Sequence, residues 1–221
     1  MKVSRTEEEK YARLRKKMVE SQIVSRNIHS SRVIREMLRV PRHAFVLPEF
    51  IDMSYDDSAL PISENQTISQ PYIVALMTEL LDVKKTHRVL EVGTGSGYQT
   101  AILSRLAKAV YSVEIVPALF QNAQKVLKSL GCTNVAFRLG DGTLGWQDEA
   151  PFDRIIITAA PGSIPHYLVK QLKNNGKLLL PLGIFHQRLV LIEKDDSGKI
   201  KTVNCARVRF VPMTGIAEQS N

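Results

Sequence analysis

The sequence predicts an α/β fold: a doubly wound, mostly parallel seven-stranded sheet with an antiparallel C-terminal edge and an N-terminal helical appendage. Three observations carry this reading. From Arg88 onward, short β-branched apolar runs alternate with segments of helical period, as parallel strands joined by crossover helices do. The first run breaks into Gly93-Thr94-Gly95-Ser96-Gly97 before a helical pattern resumes, so strand, tight turn and helix start follow one another. The last two strand-like runs are separated only by Asp195-Asp196-Ser197-Gly198, a hairpin turn, which makes that edge antiparallel.

The elements follow in order. Glu7 to Ser25 carries Tyr11, Leu14, Met18 and Ile23 at helical spacing, one apolar stripe amid charges. Ser30 or Ser31 caps a second helix that runs through Leu38 and stops before Pro41. From Pro41 to Pro71 the pattern dissolves into turns and short extended pieces; a loop this long inside a domain is functional or disordered, and its apolar content argues against disorder. Pro71 suits a first helical turn, and Tyr72 to Leu81 shows the core face Ile73, Leu76, Met77, Leu80. Strands are expected at Arg88–Val92, Ala109–Glu114, Val135–Leu139, Arg154–Thr158, Lys177–Leu180, Arg188–Glu193 and Ile200–Phe210, and helices at Tyr98–Ala107, Pro117–Leu130 and Ile164–Leu172.

The 221 residues suit one domain, with 1–71 supplying helices and substrate loops and 72–221 a ligand-binding α/β core ending in the hairpin. A hydrophobic content of 44% with 24% charged residues is ordinary for a soluble protein, and the charged N-terminus is not a signal peptide. No apolar run approaches the roughly 20 residues of a membrane helix. Two cysteines, Cys132 and Cys205, do not make a disulfide scaffold, and a reducing cytoplasm is expected. The net charge of +8 permits a nucleic-acid partner without demanding one. Arg13, Arg15, Lys16 and Lys17 read as a solvated helix face rather than an RNA patch. His29, His43, His87, His166 and His186 show no ligand spacing, so no metal is expected.

The glycine turn holds a nucleoside ligand. Dinucleotide enzymes space their glycines G-x-G-x-x-G, with pyrophosphate on the helix end. Here the third glycine comes one residue early, Tyr98 takes the expected place, and Glu91 stands in front of Gly93, Thr94, Gly95 and Ser96. A carboxylate beneath the turn repels a pyrophosphate but can accept from the ammonium of a methionyl group, directly or through water. The spacing therefore favours S-adenosylmethionine over NAD. Glu114, roughly 20 positions beyond the turn at the next strand end, is placed to accept from both ribose hydroxyls. Asp141, one strand further, is placed for the adenine amine, with the Gly142 N–H facing a ring nitrogen.

At this point the chain resembles the protein-L-isoaspartate (D-aspartate) O-methyltransferases, repair enzymes that methylate the abnormal α-carboxylate of isoaspartyl residues in damaged proteins. The resemblance rests on Met18-Val19-Glu20, Val40-Pro41-Arg42-His43-Ala44-Phe45-Val46, Tyr55-Asp56-Asp57, Leu60-Pro61-Ile62 and Gln66-Thr67-Ile68-Ser69-Gln70-Pro71. It continues through Leu90 to Tyr98, Gly140-Asp141-Gly142, Ala150-Pro151-Phe152-Asp153 and Val211-Pro212-Met213-Thr214-Gly215. The glycine turn is common to many methyltransferases, whereas Gln66 to Pro71 is particular to this family. The resemblance implies that Ser69 is the active-site residue and that Gln66, Thr67, Ile68 and Ser69 close over the cofactor. It further implies that Leu60, Pro61, Ile62, Val211 and Pro212 line the peptide groove, with Thr214 near the cofactor, in a methyltransferase fold whose last two strands exchange order. Asn65 departs from the glycine usual in bacterial relatives; Asn tolerates left-handed φ, so the turn should survive.

The chemistry fits. A carboxylic acid with a pKa near 4 is already ionised at neutral pH, so the acceptor needs no general base, and none of the site segments carries His or Cys. From the residues alone, Ser69 reads equally as a donor to that carboxylate or as a cap for the helix after Pro71. The competing reading is an RNA methyltransferase. Adenine-N6 enzymes carry an Asn/Asp-Pro-Pro-aromatic motif after the fourth strand, where this chain reads Thr158-Ala159-Ala160-Pro161. Cys132 and Cys205 are not placed for cytosine chemistry, and a degenerate binding module would have lost Glu91, the glycines or Asp141. The expected partners are damaged proteins and peptides containing isoaspartyl residues, with neither nucleic acid nor membrane, and the protein is expected to be a monomer.

Overall fold

The computed structural model describes residues 5–215; the charged start, Met1 to Ser4, and residues 216–221 lie outside the described residues. The N-terminal helical stretch begins as α1 (Arg5–Met18), opens into a π-helical turn (Val19–Ile23) and ends in a 3₁₀ turn (Val24–Arg26). Met18, Val19 and Ile23 are all buried where the helix widens into this turn. Helix α2 (Ser31–Arg39) starts where the Ser30 side chain accepts from the Val33 N–H and stops at Val40, before Pro41. These helices are no separate lobe. Tyr11, Met18, Ile23, Val33 and Met37 share one apolar cluster with Met77, Ile102 and Leu179.

Two 3₁₀ turns (Arg42–Phe45, Pro48–Met53) lead to a small hairpin, β1 (Leu60–Pro61) against β2 (Thr67–Ile68), with Leu60 opposite Ile68. Its turn holds Glu64 and Asn65 both at positive φ, 61° and 54°. A turn with two left-handed central residues favours Asn, which is why Asn65 serves where glycine is usual. Pro71 then opens α3 (Pro71–Leu81).

The main sheet comprises β3 (Arg88–Val92), β4 (Ala109–Glu114), β5 (Val135–Leu139), β6 (Phe152–Ile157), β7 (Leu172–Leu182), β8 (Arg188–Lys194) and β9 (Ile200–Arg207), in the order β5-β4-β3-β6-β7-β8-β9. The first five strands pair in parallel; β7, β8 and β9 form an antiparallel meander. Helices α4 (Tyr98–Leu106) and α5 (Pro117–Ser129) make the first two crossovers. The third crossover, from β5 to β6, carries only 3₁₀ turns, and the helix between β6 and β7 is shorter than expected: α6 spans only His166–Lys170, because Leu172 already pairs with Phe152. Lys173-Asn174-Asn175-Gly176 has the composition of a loop but forms a bulge within β7, with Asn175 at φ 59°. The sheet order reverses between β3 and β6, and the crevice at the carboxyl ends of those two strands is where such sheets bind ligands.

Candidate active site

At that crevice β3 ends in the glycine turn. Gly93, Gly95 and Gly97 have φ of 93°, 54° and 88°. A Cβ on Gly93 would lie 2.4 Å from Thr158 Oγ1, so this glycine is required by the neighbouring strand end. A Cβ on Gly95 would meet nothing within 4 Å and would stand in the open cavity. Thr158, just past β6, donates its hydroxyl to the Gly93 carbonyl at 2.5 Å, which ties the two strand ends together.

Beneath the turn lies a buried polar chain. Thr94 and Ser112 share a hydrogen bond of 2.7 Å, and both Ser112 and Thr100 donate to Glu91 Oε2, at 2.7 and 2.6 Å. Glu91 is fully buried, its Oε1 has no partner among the described residues, and burial pushes its carboxyl up to about 7. It therefore shores the turn from below and does not line the cavity, so the direct contact to an ammonium considered from sequence is not offered here.

The cavity encloses about 990 Å³ including its open mouth, and Glu114 is the one charged side chain in its wall among the described residues. The Glu114 carboxylate accepts from three backbone N–H groups: Gly95 at 2.8 Å on Oε2, and Ile115 and Val116 at 2.9 and 3.0 Å on Oε1. Its direction is thus fixed, and each oxygen keeps lone-pair capacity for a hydroxyl donor. Asp141 instead caps the short turn Gly142–Leu144, its Oδ1 accepting from the Thr143 N–H and hydroxyl at 2.8 and 2.7 Å, so Gly142 rather than Asp141 reaches the wall.

Gln66, Thr67, Ile68 and Ser69 form one side of the mouth, and Val211, Pro212 and Thr214 another. The tail is held like an added strand: Ala160 N–H donates to Val211 O and Met213 N–H to Ala160 O, both at 2.8 Å. Helix α3 begins after Gln70, whose side chain makes no cap bond, so Ser69 is not the helix cap. The half-buried Ser69 hydroxyl has no hydrogen-bond partner among the described residues. Ser69, Thr67, Thr158 and Val211 line both this cavity and a second groove that runs past Asp57, Arg207 and Arg209. Leu60 and Ile62 face the core, 3% and 7% exposed, so of that trio only Pro61 is at the surface, and none lines either recess.

Thr158, Gln99, Ile115 and Leu119 are among the wall residues that the sequence reading omits. Thr158 carried a usable signal, since it ends the strand next to the glycine turn at the switch point. The others are fixed by side-chain direction, which no periodicity reveals.

A parallel sheet that reverses at a glycine turn, with an acidic strand end beside it and a third glycine one residue short of the dinucleotide spacing, has the layout of the S-adenosylmethionine-dependent methyltransferase class. The family model for protein-L-isoaspartate(D-aspartate) O-methyltransferase matches residues 13–218, and the chain belongs to that family. It is similar to "Protein-L-isoaspartate O-methyltransferase 2" of Shewanella sediminis, with 52% identity over 95% of this chain and 86% of that one. The Syntrophus aciditrophicus protein-L-isoaspartate O-methyltransferase is 47% identical over 94% of this chain and 96% of that one. A solved protein-L-isoaspartate O-methyltransferase superposes with a TM-score of 0.82 at 29% identity, over 91% of this chain and 66% of that one. A Plasmodium falciparum structure of the same description, in complex with S-adenosyl-L-homocysteine, gives 0.78 at 26% identity over 92% of this chain and 98% of that one.

Proposed function

We propose that this protein transfers the methyl group of S-adenosylmethionine to the free α-carboxylate of L-isoaspartyl residues, and by the family's description of D-aspartyl residues, in damaged proteins. The observation that carries the reading is Ser69, whose hydroxyl stands on the wall shared by an anionic cofactor cavity and a cation-rimmed groove. When bound, the cofactor supplies an electrophilic sulfonium methyl. Glu114 would hold its ribose, Gly93 to Ser96 would leave room for its chain, and Gly142 would border its base. The negative wall suits a cationic cofactor, and the fit supports the assignment.

The acceptor carboxylate arrives ionised, so no residue has to remove a proton. Ser69 donates to that carboxylate and aims one oxygen, while Gln66 to Ser69 and Val211 to Thr214 narrow the mouth and exclude water. Orientation and a drier site are what such a reaction between opposite charges needs. Residues 1–71 supply the substrate loops and 72–221 the cofactor core. A cytoplasmic monomer is part of this proposal; the free Cys132 and Cys205 suit a reducing compartment, and no helix among the described residues is long and apolar enough to cross a membrane.

The RNA reading is disfavoured by Thr158-Ala159-Ala160-Pro161 and by the family match. Radiolabelled methyl transfer to matched aspartyl and isoaspartyl peptides, with bulk RNA as control, tests the proposal. Base-labile label on the isoaspartyl peptide alone is expected; label on RNA would overturn it.

A further inference from the structure

The second groove carries a charge pattern that the methyl transfer itself does not use. It is an open groove of about 1000 Å³, solvent space at its mouth included, lined by Asp57, Ser58, Gln70, Arg207, Arg209 and the shared Ser69, among others. Its one carboxylate is already engaged: Asp57 pairs with Arg26 and accepts from Gln70 Nε2 at 2.8 Å. Arg207 and Arg209 are exposed and have no acidic partner among the described residues. Arg207 also stands directly opposite Arg188 in the β8–β9 ladder, an arrangement of like charges that destabilises a sheet unless an anion joins it.

The backbone that carries these guanidinium groups is fixed. Past the end of β9, Gln187 holds the chain by its side chain, Oε1 accepting from Phe210 N–H at 2.6 Å and Nε2 donating to Phe210 O at 3.1 Å. Gln187 O also accepts from Val208 N–H at 3.2 Å. Arg209 is thus presented from a clamped, extended segment that leads directly to Val211 on the shared wall.

We propose that Arg207 and Arg209 are specificity-determining residues that select isoaspartyl sites with an acidic residue nearby in the sequence. The inference rests on the proposed reaction, since it places the reacting carboxylate at Ser69 and runs the flanking peptide along the groove. A flanking Asp or Glu supplies the planar carboxylate that a guanidinium fork matches, and lies within a few residues at about 3.3–3.6 Å each.

The test measures kcat/KM for isoaspartyl peptides identical except for one Gln→Glu or Gln→Lys replacement at each of three positions on either side. For the wild-type chain, Glu at one or two positions is expected to raise kcat/KM about five-fold, through KM, and this gain shrinks in 0.3 M salt. In Arg207→Glu/Arg209→Glu, with folding checked by circular dichroism, the Glu:Lys ratio at those positions is expected to invert; in Arg209→Gln it falls toward one. A flat wild-type panel with good turnover of the neutral peptide, or variants that keep the wild-type ratio, would overturn this inference alone. No turnover of any isoaspartyl peptide would overturn the reaction itself, and the inference with it.

Discussion

Thr158 Oγ1 lies 2.5 Å from the carbonyl oxygen of Gly93 and 3.1 Å from that of Val92, so its one proton points chiefly at Gly93 and is shared with Val92 across the bend between strand and glycine turn. Thr158→Val keeps the shape and removes this shared bond. It is expected to lower stability by about 1 kcal/mol and to weaken S-adenosylmethionine binding several-fold, as read by chemical denaturation and calorimetry. Unchanged affinity would mean that the turn holds its form without this bond.

Gly95→Val places a branched side chain in open cavity space at a φ of 54°. The left-handed conformation alone costs about 1–2 kcal/mol, and the side chain occupies the cradle. Calorimetry is expected to find no S-adenosylmethionine binding in a chain that still folds. Gly97→Ala is the contrast: its Cβ would sit 3.1 Å from Leu127 and 3.3 Å from Ala123, so its cost appears in thermal stability.

Ser69→Ala leaves the cofactor wall in place and removes the hydroxyl aimed at the acceptor. Cofactor affinity should stay within about two-fold, while kcat for an isoaspartyl peptide falls about 10- to 100-fold, the worth of a hydrogen bond to a charged group. An unaffected rate would reduce Ser69 to a structural residue.

Glu91 gives the protein a pH dependence of definite sign. Burial raises its carboxyl to about 7 in the folded chain. Between the unfolded value near 4.5 and about 7, the folded state holds a proton that the unfolded state has released. Stability therefore falls as pH rises through this window and levels off above it, by an amount on the order of 3 kcal/mol. Glu91→Gln removes the titration but buries an amide where Oε1 has no partner. Its Tm is expected below wild type at pH 5, with the gap closing or inverting by pH 8. Parallel Tm curves for the two proteins would refute the titration.

Much of this was legible in the sequence, for identifiable reasons. The strands from Arg88 to Glu114 are near-continuous apolar runs bounded by glycine or charge, so their ends lie where composition changes. Glu114 and Gly93 to Ser96 were locatable because strand ends and glycines punctuate the pattern. Glu91 was misread in detail because alternation does not say that Thr100 and Ser112 would meet it. The helix between β6 and β7 was overextended because Lys173 to Gly176 look like a loop, while the ladder from Phe152 to Leu172 incorporates them as a bulge. The resemblance puts Leu60 and Ile62 in the groove, yet around the β1–β2 hairpin both side chains are buried.

The clasp between Ala160 and Val211–Met213 has a consequence for hydrogen exchange. The mouth brings Gln66 to Ser69 and Val211 to Thr214, far apart in sequence, onto one cavity, so a ligand seated there would touch both segments at once. Cofactor binding is expected to slow amide exchange in the two segments together.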